Sequence, residues 1–91
     1  MAEIHINKLT NKQGESLFEV IVTASSTTRH QVTVQPDYAI KLTRNQISAE
    51  ELVKKSFEFL LERESNNSIL RSFDLSVIAR YFPEFEGEVS L

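Results

Sequence analysis

The hydrophobic period of this chain changes once, around Gln35-Pro36, and that change restricts it to a fold in which strands come first and helices follow. Before the change, apolar residues recur at every second position. Ile4 and Ile6 alternate with Glu3, His5 and Asn7; Phe18, Val20 and Val22 with Glu19, Ile21 and Thr23; and His30, Val32 and Val34 with Gln31, Thr33 and Gln35. β-Branched residues are frequent in these runs and suit a pleated, half-buried surface. Asn11-Lys12-Gln13-Gly14 and Ser25-Ser26-Thr27-Thr28 are polar connections. The spacing predicts a three-stranded antiparallel meander over about 2–9, 17–24 and 29–35. Pro36 ends its last strand because it supplies no ladder N–H.

After the change the pattern is helical. Residues 36–44 admit two readings, because Tyr38, Ile40 and Leu42 alternate as a strand would, whereas Pro36-Asp37 suits a helix opening and Tyr38 shares a helix face with Leu42. The second is favoured, as a short helix over about 37–44. Ser48-Ala49-Glu50-Glu51 is a capping box, flanked by Ile47 and Leu52 at the positions of a hydrophobic staple. It predicts a long amphipathic helix over about 49–64. Its apolar stripe, Ala49, Val53, Ser56, Phe57 and Leu60 widened by Leu52, Phe59 and Leu61, spans roughly 200°, about twice what contact with one sheet requires. A second apolar neighbour is therefore needed, either the chain's own C-terminal segment or a second copy. Ile69, Leu70, Phe73, Val77, Ile78, Tyr81 and Phe82 recur at helical spacing and predict a C-terminal helical segment over about 69–82. Asp74 is placed there to cap a second short helix, and Pro83 ends the segment. Residues 84–91 read as an acidic, partly disordered tail. The whole is one α+β domain over 1–91.

Composition narrows the chemistry. Among 91 residues there is no cysteine, so disulfides, thiolate metal sites and cysteine nucleophiles are excluded, in keeping with a cytoplasmic setting. No apolar run approaches the ~20 residues of a membrane span, and no basic-then-apolar leader pattern opens the chain, so neither membrane association nor a removed segment is expected. The net charge of −3 is uneven. Residues 1–48 carry five basic groups against four acidic, and residues 49–91 carry five against nine. A generic polyanion binder carries a denser basic footprint.

No catalytic constellation is present in the sequence. His5 and His30 could face each other on adjacent strands, but two imidazoles leave a metal site incomplete; they read as surface strand residues. The serines lack a nucleophile-elbow setting, and neither glycine belongs to a phosphate-cradling loop. The carboxylate sets Glu58 with Glu62, and Glu84 with Glu86 and Glu88, fall on a polar helix face and in the tail, where solvation is expected. No cofactor and no metal are expected. Core packing accounts for Phe57 and Phe82, whereas Phe59, Phe85 and Tyr81 are candidates for an interface with a protein partner or a second copy.

The order Gln31-Val32-Thr33-Val34-Gln35, then Asp37 to Arg44, then Ser48-Ala49-Glu50-Glu51-Leu52-Val53, resembles the ribbon-helix-helix family over residues 29–64. The resemblance implies a dimeric DNA-binding repressor or antitoxin whose paired strands enter the major groove. Gln31, Thr33 and Gln35 would then face bases, and Arg29, Lys41 and Arg44 would lie near phosphates. The blocks Glu51 to Glu62, Phe73 to Ile78 and Tyr81 to Phe85 are similar to small uncharacterised bacterial proteins, a likeness that implies no activity. The leading expectation is a non-enzymatic protein-interaction module, with DNA binding as the alternative.

Overall fold

The computed structural model describes residues 2–12 and 14–90. The chain has a mixed α+β fold in which helices cover one face of a four-stranded sheet and leave the other face open. Strands β1 (Glu3–Lys12), β2 (Glu15–Thr23) and β3 (Thr27–Val34) form the expected antiparallel meander, in that spatial order. Each strand extends two or three residues beyond its expected bounds at one end and stops one residue short at the other. Gly14, at φ 83°, makes the tight first connection, where an L side chain would be strained; Gln13 of that expected turn lies outside the described residues. The ladder slips between Lys8 and Thr10, so that Leu9 is an extra, bulged residue.

The register fixes the two faces. Ile4 and Ile6 stand opposite Val22 and Val20, while His30 and Val32 stand opposite Val20 and Phe18, so all of these point to the helix side. Glu19, Ile21, Arg29 and Gln31 occupy the open side.

The segment 36–44 resolves as helix α1 (Pro36–Thr43), with Pro36 in the first turn where its missing N–H costs nothing. Arg44 and Asn45 then turn left-handed, at φ 52° and 61°, and stop it. Helix α2 (Ala49–Leu61) begins as the sequence predicts, with the Ser48 hydroxyl accepting from the Glu51 N–H at 3.1 Å, but it ends about one turn earlier than expected.

Beyond α2, the expected C-terminal helix over 69–82 is corrected. A 3-10 turn at Asn66–Ser68 is followed by a fourth strand, β4 (Ser72–Asp74), which pairs parallel to β3. A second 3-10 turn, Leu75–Val77, then leads into a one-turn helix, α3 (Ile78–Tyr81). The Gln31 N–H donates to the Arg71 carbonyl at 2.7 Å, and this long-range bond, not local periodicity, makes residues 72–74 a strand. The expected Asp74 cap is present: its carboxylate accepts from the Ser76 N–H at 3.0 Å.

Residues 85–89, expected within a partly disordered tail, form helix α4 (Phe85–Val89), with Phe85 and Val89 buried; Leu91 lies outside the described residues. The apolar stripe of α2 thereby gains its second neighbour. Phe57 packs toward the sheet side, 5.4 Å from His30 and 6.1 Å from Phe73. Phe59 packs on the other side, edge-on to Phe82 at 5.8 Å and to Phe85 at 5.2 Å.

Candidate functional site

Two depressions and one buried polar network bear on function. The first depression is an apolar groove of about 350 Å³ between the end of α2, the 68–70 connection, β4 and α3. Its floor is Leu60, Ile69, Phe73 and Ile78, and Tyr81 and Leu70 stand on its rim, 67% and 48% exposed. Glu64 is the one charged residue in its lining, and no ion pair to it is present among the described residues. A mostly apolar concavity with exposed large side chains beside it is the kind of surface a protein burial site uses. Ser68 also borders it, but no histidine or second carboxylate joins Ser68 and Glu64 in the lining.

The groove is held in place by hydrogen bonds at one end of the sheet. The Leu70 carbonyl can only accept, so His30 Nδ1 carries the proton and donates to it at 2.7 Å. The neutral ring's Nε2 then accepts from the Thr28 hydroxyl at 2.8 Å, and Thr28 Oγ1 in turn accepts from Asn66 Nδ2 at 3.0 Å. Asn66 also donates to the Ser26 carbonyl at 3.0 Å. Burial pushes the His30 pKa below its ordinary value, with Arg71 adding in the same direction and the Leu70 bond opposing. The two histidines lie on opposite faces of the sheet. His5 is exposed beside Glu3, at 3.7 Å, whereas His30 is buried, which corrects its reading as a surface residue and separates the pair. No group of three metal-ligating side chains occurs among the described residues.

The interface candidates divide. Tyr81 is exposed on the groove, but Phe59 and Phe85, at 4% and 0% exposed, are buried against each other inside the chain and offer no anchor to a partner. Their expected exposure fails because α4 folds back onto α2. Arg63 fastens that contact: its guanidinium lies 3.6 Å over the Phe59 ring and reaches Glu84 at 3.3 Å and Glu88 at 2.9 Å. Glu86 accepts from the Tyr38 hydroxyl at 2.8 Å and from Lys41 at 3.1 Å, and these bonds hold its pKa below the ordinary carboxylate value. The tail carboxylates, expected to be solvated, thus bind α4 to α1 and α2. Burial and the Glu86 bond push the Tyr38 phenol upward.

The nucleic-acid candidates do not form one patch. Arg29, Gln31 and Thr33 alternate on the open face of β3, where Arg29 lies 3.6 Å from Glu19. Gln35 donates to Glu15 at 2.8 Å, Lys41 is held by Glu86, and Arg44 is exposed at the end of α1. β3 has β2 along one edge and β4 along the other, so pairing with a partner's β3, as the ribbon-helix-helix resemblance implies, would require one neighbour to leave. The groove itself was not legible in the sequence. Leu70, Phe73 and Val77 fit the helical period that suggested a C-terminal helix, and only the intervening strand turns them into the walls of a cavity.

No helix is long and apolar enough to cross a membrane among the described residues. No known family model, curated protein or solved structure matches the chain.

Proposed function

We propose that this chain is a non-enzymatic protein-interaction module of the cytoplasm, docking a segment of another protein in the groove between α2, β4 and α3. The observation that carries the reading is the juxtaposition of Leu70 and Tyr81, both large and exposed, on the rim of an apolar concavity. Such side chains gain by covering, and apolar burial returns about 25 cal/mol per Å². Glu64 sets the chemistry of the occupant: a segment that presents one or two large apolar side chains with a Lys or Arg beside them, so that a cation meets the carboxylate as the apolar groups enter.

The test places a photoreactive benzophenone side chain at Tyr81 and irradiates cells that express the protein. The expected result is an adduct with a different protein that is lost on Leu70→Asp and weakened by Glu64→Lys, in both nuclease-treated and untreated samples. Absence of any adduct, an adduct that survives Leu70→Asp, or one that disappears with nuclease would overturn the proposal. The last outcome would favour the DNA-binding alternative.

A further inference from the structure

We infer that a second copy of this chain docks along the free edge of β1, making one continuous sheet across a two-fold axis at His5. This surface is separate from the groove. β1 is the outer strand on its side of the sheet, and its far edge has no strand partner among the described residues. A free strand edge is a template for pairing, and proteins usually blunt it with a bulge, a lysine or a proline. Here the bulge at Leu9 and the charge of Lys8 fall at one end, and Glu3 to Asn7 carry none of these devices. The other edge strand, β4, is only three residues long.

The pleat restricts the register. Residues directly opposite must share a face, and Ile4 and Ile6 point to the helix side while Glu3, His5 and Asn7 point to the open side. Centring on Ile6 sets Ile4 against the partner's Lys8 and runs Glu3 into the Leu9 bulge. Centring on Ile4 sets each Ile6 against the partner's Ala2, a smaller contact than Ile against Ile. Centring on His5 pairs each Ile4 with the partner's Ile6 and ends at Lys8, just short of the bulge. Ile4 and Ile6 are only half-buried, whereas Val20 and Val22 beside them are fully covered, so an added strand completes the core at this edge.

Charge on α2 agrees with the same axis. The second depression, beside the β1 edge, is lined by Ala2, Glu3, Ile4, His5, Lys54 and Glu58, which puts the 54–58 turn of α2 beside the stretch of β1 that ends at His5. Neither Lys54 nor Glu58 has an ion-pair partner among the described residues. A two-fold axis normal to the sheet reverses α2 in the copy, so each Lys54 meets the other chain's Glu58. The two unpaired charges on one helix are complementary to themselves reversed, which is the property an isologous interface needs.

Sedimentation velocity over a concentration series tests this, with Lys54→Glu, Glu58→Lys and the double exchange; both positions changed are on the exposed face of α2. The expected result is a dimer that each single reversal weakens about tenfold at low salt and that the double exchange restores. The absence of native cysteine permits a second measurement. Residues opposite across an antiparallel pair lie about 4.5–5.5 Å apart at Cα, within disulfide reach. His5→Cys should therefore cross-link two chains under mild oxidation, and Asn7→Cys should not. A wild type that stays monomeric at millimolar concentration, a dimer indifferent to both charge reversals, or cross-linking at position 7 instead of 5 would overturn the inference. Leu70→Asp leaves this association unchanged, so failure here and failure of the groove reading are distinguishable.

Discussion

Replacing Phe85 by alanine measures how much of the fold depends on the acidic C-terminal segment. The ring is fully buried and stands 5.2 Å from Phe59. A buried phenylalanine removes about 150–250 Å² from water, worth about 4–6 kcal/mol at about 25 cal/mol per Å², and measured phenylalanine-to-alanine losses in cores run about 3–5 kcal/mol. One limit applies: if α4 detaches while the rest stays folded, the loss cannot exceed the free energy with which α4 is docked. The expected loss is therefore about 3–4 kcal/mol. Against the roughly 5–14 kcal/mol that about 0.05–0.15 kcal/mol per residue gives a chain of this length, it is a substantial fraction. Urea unfolding followed by circular dichroism reads it as a lower midpoint, with Tyr81→Ala as the exposed control expected within about 0.5 kcal/mol of wild type. A loss below about 1 kcal/mol for Phe85→Ala would show that residues 85–89 are not part of the core, and that the apolar stripe of α2 is covered by something else.

Four further outcomes follow from the same contacts. His30 is held neutral by burial, so its folded pKa lies below the ordinary 6.5; the unfolded chain takes up its proton first, and stability should fall as the pH drops below 6.5 toward the folded value. Imidazole resonances followed by NMR against pH check the direction, and a His30 that titrates at or above 6.5 refutes it. Glu86 has the opposite charge type but the same direction of loss: its depressed pKa adds stability at neutral pH that disappears as pH falls below about 4.5, and Glu86→Gln should flatten that acid limb in a stability-against-pH series. Ser48→Ala should lower stability by about 1 kcal/mol in urea unfolding, through loss of the α2 cap. Arg44→Gly should raise it by about 0.5–1 kcal/mol in the same assay, because Arg44 holds a left-handed backbone at φ 52°.

How far the sequence reaches can be judged element by element. The alternation in residues 3–34 locates three strands, because each strand's signal lies within a few adjacent residues. The Ser48 cap and Asp74 cap are equally local, since a hydroxyl or carboxylate satisfies an N–H two or three positions away. β4 is different. Three residues cannot display a period, and their pairing with β3 is a contact across 41 positions that local patterns do not encode.

The aromatic residues mark the same boundary. Phe59 and Phe85 look exposed when each is read on its own element, and both become interior once α4 lies on α2. His30 reads as a surface strand residue until the Leu70 carbonyl, 40 positions away, accepts from its ring and Asn66 bonds the Thr28 hydroxyl that donates to it.

What the amino-acid order determines alone is the place of the early strands, the start of α2 and the excess width of its apolar stripe. That width states that a second neighbour must exist, because unburied apolar area is costly wherever it sits. Which neighbour it is belongs to the tertiary structure. α4, drawn in by Arg63 and Lys41 through the tail carboxylates, covers the stripe from within the chain. The choice depends on chain reversal at Pro83 and on charge pairs between residues 21 to 45 positions apart, quantities that no periodicity along the chain contains.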